Sequence, residues 1–168
     1  MATEKDVYAV LGELSVKFSN LEFAVSNILE MLIDSTAPAV GAILTSNQSL
    51  SKNLDLISKL VPFRFAVDSD VAAEVSTVVA EAKDLRTDRN LFVHGNWLIS
   101  PEGVKAGTII CYDLRPKLRQ KEHSLTRFEE YKFTIEELES RSEKVGELVV
   151  QSVRLARKLG AAGLNIES

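Results

Sequence analysis

The chain has 168 residues, 45% of them hydrophobic and 26% charged, which suits a single globular domain spanning 1–168 and excludes a disordered chain. The formal net charge of −4 excludes a generic, charge-driven nucleic-acid binder, though not a local basic cleft. The single cysteine, Cys111, excludes an intrachain disulfide and a cysteine-rich zinc site, and the longest uncharged run, 35–51, is too rich in Ser, Thr, Asn and Gln to span a membrane.

The amino-terminal Glu4, Lys5 and Asp6 do not fit a signal-peptide pattern, so the expected compartment is the cytoplasm. From about Lys5 to Ile33, the residues Tyr8, Leu11, Leu14, Phe18, Leu21, Val25, Ile28 and Leu32 recur at spacings of three and four. That pattern predicts a long first helix with one apolar face. Ser35-Thr36-Ala37-Pro38 ends it, and a short helical segment follows from Pro38 to Leu44. Leu50, Leu54, Ile57 and Leu60 predict a second main helix, ended by Pro62. Phe63 to Val67 reads as an apolar connector, and Asp68, Ser69 and Asp70 offer an N-cap for the third main helix, which runs to His94.

After Gly95 the character changes. Trp97-Leu98-Ile99 and Thr108-Ile109-Ile110-Cys111-Tyr112 have strand composition, and Pro101-Glu102-Gly103 between them is turn-like. A β-hairpin over about 97–112 is therefore expected directly after the third helix. Cys111, in its apolar run, is expected in the core. Residues 113–127 hold Arg115, Lys117, Arg119, Lys121 and Arg127 against Asp113 and Glu122. This basic segment reads as a solvated loop, or alternatively as a phosphate-contacting rim, and His123 within it reads as a surface residue. Arg127 to Phe133 suggests a short third strand. Thr134 and Glu137 form a capping box for the last helix, which keeps an apolar stripe from Ile135 to Leu159 and stops at Gly160. The fold class expected is mainly α: a helical bundle of four main helices with a small β-hairpin insertion after the third.

The most informative stretch is Arg86 to Trp97. With Val71 at zero on a helical wheel, Val75, Val78, Ala82 and Leu85 cluster on one side, and the next occupants of that stripe are Arg86 and Arg89. Asn90 lies at its edge, and His94 stands one turn beyond Asn90, with Gly95 as the helix stop. Polar residues replacing an apolar stripe break local consistency, as functional sites do. Arg89 alone could pair with a carboxylate or snorkel, and His94 alone could answer the helix dipole; the combination is less ordinary. Arg89 is expected to be largely removed from solvent and hydrogen-bonded, because an unpaired buried guanidinium costs too much to persist.

Arg89-Asn90-Leu91-Phe92-Val93-His94 resembles the motif of the HEPN superfamily (higher eukaryote and prokaryote nucleotide-binding domains): an Arg, a polar residue, and a His four to six residues later, late in a long helix. The resemblance implies a metal-independent endoribonuclease that acts as a homodimer with a composite site, often in toxin or antiviral defence systems. On that basis Arg89, Asn90 and His94 are the candidate catalytic residues. Arg86, Asn96 and Trp97 are the candidate substrate-binding residues, RNA is the expected substrate, and no cofactor or metal is expected. In some HEPN toxins the motif continues as His-x-Tyr, the Tyr being modified by a partner nucleotidyltransferase. Asn96 stands at that position here, which puts such regulation in doubt and leaves an antitoxin or other partner protein unidentified.

The residues themselves allow the chemistry. RNA carries its own nucleophile, the 2′-hydroxyl, so cleavage needs a proton-transfer group and a cation for the phosphorane. Histidine and arginine supply these. A difficulty is geometric: His94 stands five positions on from Arg89, about 140° around a helix, which two copies meeting across a twofold axis would ease. No Gly-rich phosphate loop, H-E-x-x-H or G-x-S-x-G occurs. Two other readings stand beside the enzyme: a non-catalytic HEPN-like dimeric module binding RNA, nucleotide or a protein partner, and a structural helical dimer.

Overall fold

The structure, a computed structural model, describes residues 2–33, 38–45, 48–66, 68–114, 117–119, 124–126 and 128–161, with backbone alone at residue 38 and over 117–119 and 124–126. In chain order the elements are α1 (Glu4–Ile33), α2 (Pro38–Thr45), α3 (Leu50–Arg64), α4 (Asp70–His94), β1 (Asn96–Leu98), α5 (Pro101–Lys105), β2 (Ile109–Asp113), β3 (Lys117–Arg119), β4 (Ser124–Thr126), β5 (Glu129–Phe133) and α6 (Ile135–Ala161). The protein is thus mainly helical, with four long helices and a small antiparallel sheet, as the periodicities predict. Among the described residues no helix is long and apolar enough to cross a membrane.

The residues group into two compact units. One comprises Met1–Val16 and Thr87–Lys144, the other Lys17–Arg86 and Val145–Ser168. Among its described residues the second holds helices and no strand. Its α1 portion buries Phe18, Leu21, Val25, Ile28 and Leu32, and its α4 portion buries Val75, Val78, Val79, Ala82 and Leu85. Helix ends in this unit find partners. Ser49 caps α3 through Lys52 N, and Ser69 caps α4 through Ala72 N. Arg64 donates from Nε to the Leu32 carbonyl at 2.6 Å and from Nη2 to the Ile33 carbonyl, satisfying the last turn of α1. Pro62 does not end α3 as the sequence suggests: it sits inside the last turn, and the helix runs on through Phe63 to Arg64. Phe63, read as the start of an apolar connector, belongs to the helix and is 87% exposed.

The first unit joins the ends of α1, α4 and α6 to the sheet. The strand order is β1-β2-β5, all antiparallel, with Trp97 opposite Cys111 and Cys111 opposite Tyr131. The expected hairpin is present, and the third strand suggested near Phe133 is β5. The connection differs from expectation: Pro101-Glu102-Gly103 starts a short helix, not a turn. Ser100 accepts from Gly103 N at 3.0 Å, and Pro101 occupies the first helical turn, a combination that starts helices. The reversal falls instead at Gly107, whose φ of +71° favours glycine.

Two further expectations need correction. The basic segment is not all loop, since β3 and β4 pair antiparallel, Leu118 opposite Leu125. The side chains proposed there as a phosphate rim, and His123, lie outside the described residues. At the start of α1 the buried positions are Val7 and Val10 rather than Tyr8, which is 61% exposed; stepping back from Leu14 by four and three, instead of three and three, gives the observed face. The capping box of α6 forms as read, Thr134 N donating to Glu137 Oε2 at 2.9 Å and Glu137 N to Thr134 Oγ1 at 3.2 Å. The helix passes Gly160 and continues to Ala161, the last described residue.

Candidate functional site

The sheet of the first unit fixes the last turn of α4. Phe92 stacks on Trp97 with ring centroids 5.6 Å apart and planes 7° apart, and both rings meet Phe133 of β5 at 5.6 Å. The Trp97 indole N–H points at the Phe92 carbonyl at 3.4 Å. Gly95 N donates to the Leu91 carbonyl at 2.7 Å. Behind that junction lies the Cys111 thiol, 4.0 Å from the same carbonyl. Burial pushes the Cys111 thiol up to about 11, with the charge of Asp113 adding to it.

Gly95 is present for a reason different from the one the sequence suggests. Among the described glycines only Gly107 has positive φ, so Gly95 is not a left-handed helix stop. A Cβ there would fall well inside 3.0 Å of both Cys111 Sγ and the Leu91 carbonyl oxygen. The position needs glycine because sheet and helix approach closely.

Packing against the sheet also changes which side of α4 is covered. Leu91 and Phe92 are buried, although Leu91 falls about 160° from the centre of the Val71–Leu85 stripe. Arg89 lies at the stripe's centre and is only half-buried, and Val93, in nearly the same phase, is 41% exposed. Arg89 is therefore less removed from solvent than the stripe predicts.

It is hydrogen-bonded, as expected. Its Nη1 donates to Asn90 Oδ1 at 3.3 Å and lies 3.2 Å from His94 Nε2. A guanidinium has no acceptor, so the bond forms only when Nε2 offers its lone pair and the ring's single proton sits on Nδ1. The angular separation that made the pairing look difficult is bridged within one chain by the length of the arginine. His94 itself is exposed, so the pair is open to a ligand.

The other candidates are placed as follows. Asn96 is exposed at the start of β1, opposite Tyr112. Trp97 is half-buried, with one ring face covered by Phe92. Arg86 belongs to the helical unit, where its exposed side chain donates from Nη1 to Ser51 Oγ at 2.8 Å.

Two residues that the sequence did not single out hold the same stretch of α4. Asp88 takes a charge-assisted hydrogen bond from Arg141 Nη1, and the Arg141 guanidinium lies over the Phe92 and Phe133 rings. The available signal was Asp88, an acidic residue one turn before Phe92, but nothing in the sequence names its partner 53 residues on. Among the described residues no three His, Cys, Asp or Glu side chains gather as a metal-holding set. No family model, no curated protein and no solved structure matches this chain.

Proposed function

We propose that the protein is a HEPN-type endoribonuclease that cleaves RNA by attack of the 2′-hydroxyl, without a divalent metal, in a composite site formed by a homodimer. One observation carries the reading: Arg89 and His94 meet at 3.2 Å on the open side of the α4 terminus. In the proposed reaction the scissile phosphate draws the guanidinium from His94 onto its non-bridging oxygens. The freed Nε2 takes the 2′-hydroxyl proton, and the 2′-oxygen forms its bond to phosphorus. The P–O5′ bond breaks, leaving a 2′,3′-cyclic phosphate and a 5′-hydroxyl that takes its proton from the imidazolium or from water. Asn90 holds Arg89 in the meantime. The exposure of Val93 beside Arg89 supports a second copy docking along this face of α4. The resemblance suggests a toxin or antiviral-defence role in the cytoplasm, with an antitoxin or other protein partner.

The second reading is a non-catalytic module binding RNA, nucleotide or a protein partner. It is favoured by the net charge of −4 and by Arg89 already having partners in the chain. Labelled RNA in excess chelator separates the two. Wild type is expected to cleave it, leave DNA intact, and lose roughly 10²–10⁴-fold on His94→Ala. Cleavage abolished by chelator, cleavage retained by His94→Ala, or equal cutting of DNA would overturn the mechanism. Binding without cleavage would establish the module.

A further inference from the structure

Building on the ribonuclease reading, we propose that Arg141 is a positioning residue of the Arg89–His94 site, seating the α4 terminus and keeping the Asp88 carboxylate away from the phosphate-binding guanidinium. Arg141 comes from the second turn of α6. Its Nη1 bonds Asp88 Oδ2, and its guanidinium carbon lies 5.9 Å from the Phe92 centroid and 5.4 Å from that of Phe133. Asp88 and Phe92 are one turn apart on α4. A single side chain thus grips that turn at both ends and ties it to β5, with Arg89 and Asn90 between the two grips and His94 just beyond. Only a planar, forked cation can stack on rings and bond a carboxylate at once.

The charge matters as much as the grip. Asp88 immediately precedes Arg89, and its side chain is 25% exposed, against 38% for Arg141. Partial burial makes the loss of Arg141 costly to the carboxylate, which must then find another cation. The neighbouring cation along α4 is Arg89. A carboxylate drawn to Arg89 competes with the phosphate for the same donors and repels it. Arg141 therefore turns Asp88 from a competitor of the substrate into a strut.

The two halves of the ion pair therefore act unequally on the site: losing Arg141 frees the carboxylate, and losing Asp88 removes it. Steady-state cleavage of labelled RNA is measured for wild type, Arg141→Met, Asp88→Asn and the double variant, with thermal melts of each. Arg141→Met is expected to lower kcat/KM about tenfold, Asp88→Asn to cost less, and the double variant to recover most of the loss. Equal losses for the two single variants, or no recovery in the double, would overturn the proposal while leaving ribonuclease activity intact. If Arg141→Met does not melt cooperatively, Arg141→Gln, planar and uncharged, takes its place in the same comparison. If wild type cleaves no RNA, the ribonuclease reading fails, and positioning is then judged on the His94 ring by ¹H–¹⁵N correlation spectra. A changed Nε2 signal in Arg141→Met, restored by Asp88→Asn, upholds the positioning role, and an unchanged signal overturns it.

Discussion

Replacing Gly95 by alanine tests the junction that holds the candidate site. The added methyl would fall inside 3.0 Å of two atoms, Cys111 Sγ and the Leu91 carbonyl oxygen. Neither can yield easily. Cys111 is fully buried in the central strand, paired with Trp97 on one side and Tyr131 on the other. The carbonyl accepts from Gly95 N at 2.7 Å, so moving it breaks the bond that closes the helix. Overpacking costs about 1–3 kcal/mol, and two rigid obstacles put this site near the top, at about 3 kcal/mol. In a chain of this length that lowers Tm by roughly 6–12 °C. The assay is a thermal melt of Gly95→Ala, Cys111→Ala and the double variant. Removing the thiol relieves one of the two clashes, so the double variant is expected to be more stable than the sum of the singles predicts. Gly12→Ala is the control: its Cβ meets nothing within 4 Å on α1, and a gain of about 0.5–1 kcal/mol is expected. A Gly95→Ala protein melting within about 2 °C of wild type, or strict additivity with Cys111→Ala, would refute the close-approach argument.

Thr134→Ala removes one bond of the α6 capping box and loosens its reciprocal partner, so a loss of about 1 kcal/mol is expected in urea titrations, and an unchanged midpoint would contradict it. Cys111 links stability to alkaline pH. Its thiol is raised from 9.0 to about 11 in the fold, so well below pH 9 folded and unfolded chains are both protonated and nothing is lost. As pH rises from about 9 to 11 the unfolded chain ionises first, and up to about 2 kcal/mol of stability disappears. Urea midpoints across that range should fall more steeply for wild type than for Cys111→Ala; parallel slopes would show that the thiol is not responsible.

What the sequence makes legible follows from what local physics determines. The long helices carry three-four periodicity over four to eight turns, and the capping box is written in two side chains, so these elements could be read directly. Pro101 misled because proline favours both turns and first helical turns, and Ser100 decides between them. Gly95 was legible as a junction but not in its cause, because one of the two atoms that exclude a side chain is the sulfur of Cys111, sixteen residues on. The stripe placed Arg89 deeper than it lies because the sheet covers α4 from the side of Leu91 and Phe92. Arg141 was invisible, since a partner 53 residues away leaves no local pattern.

The contact between Arg89 and His94 within one chain leads to the last prediction. The angular gap on the helix makes a site with Arg89 from one copy and His94 from the other attractive, yet the arginine's length closes the gap at 3.2 Å in a single copy. In the proposed homodimer each chain then supplies a complete pair of its own, and the second copy completes neither. Mixing inactive variants distinguishes these arrangements. In a dimer of one Arg89→Ala chain and one His94→Ala chain, a site assembled between chains would retain one intact Arg–His pair out of two. A site assembled within a chain would retain none, because one chain lacks the cation and the other lacks the base. Co-refolded, the two variants are therefore expected to show no more RNA cleavage than either alone. The control is co-refolding wild type with the double variant Arg89→Ala/His94→Ala, which leaves the wild-type pair whole and should retain activity. Recovery in the single-variant mixture toward half the wild-type rate per dimer would show that arginine and histidine act across the twofold axis, and the intrachain contact would then be a resting arrangement rather than the catalytic one.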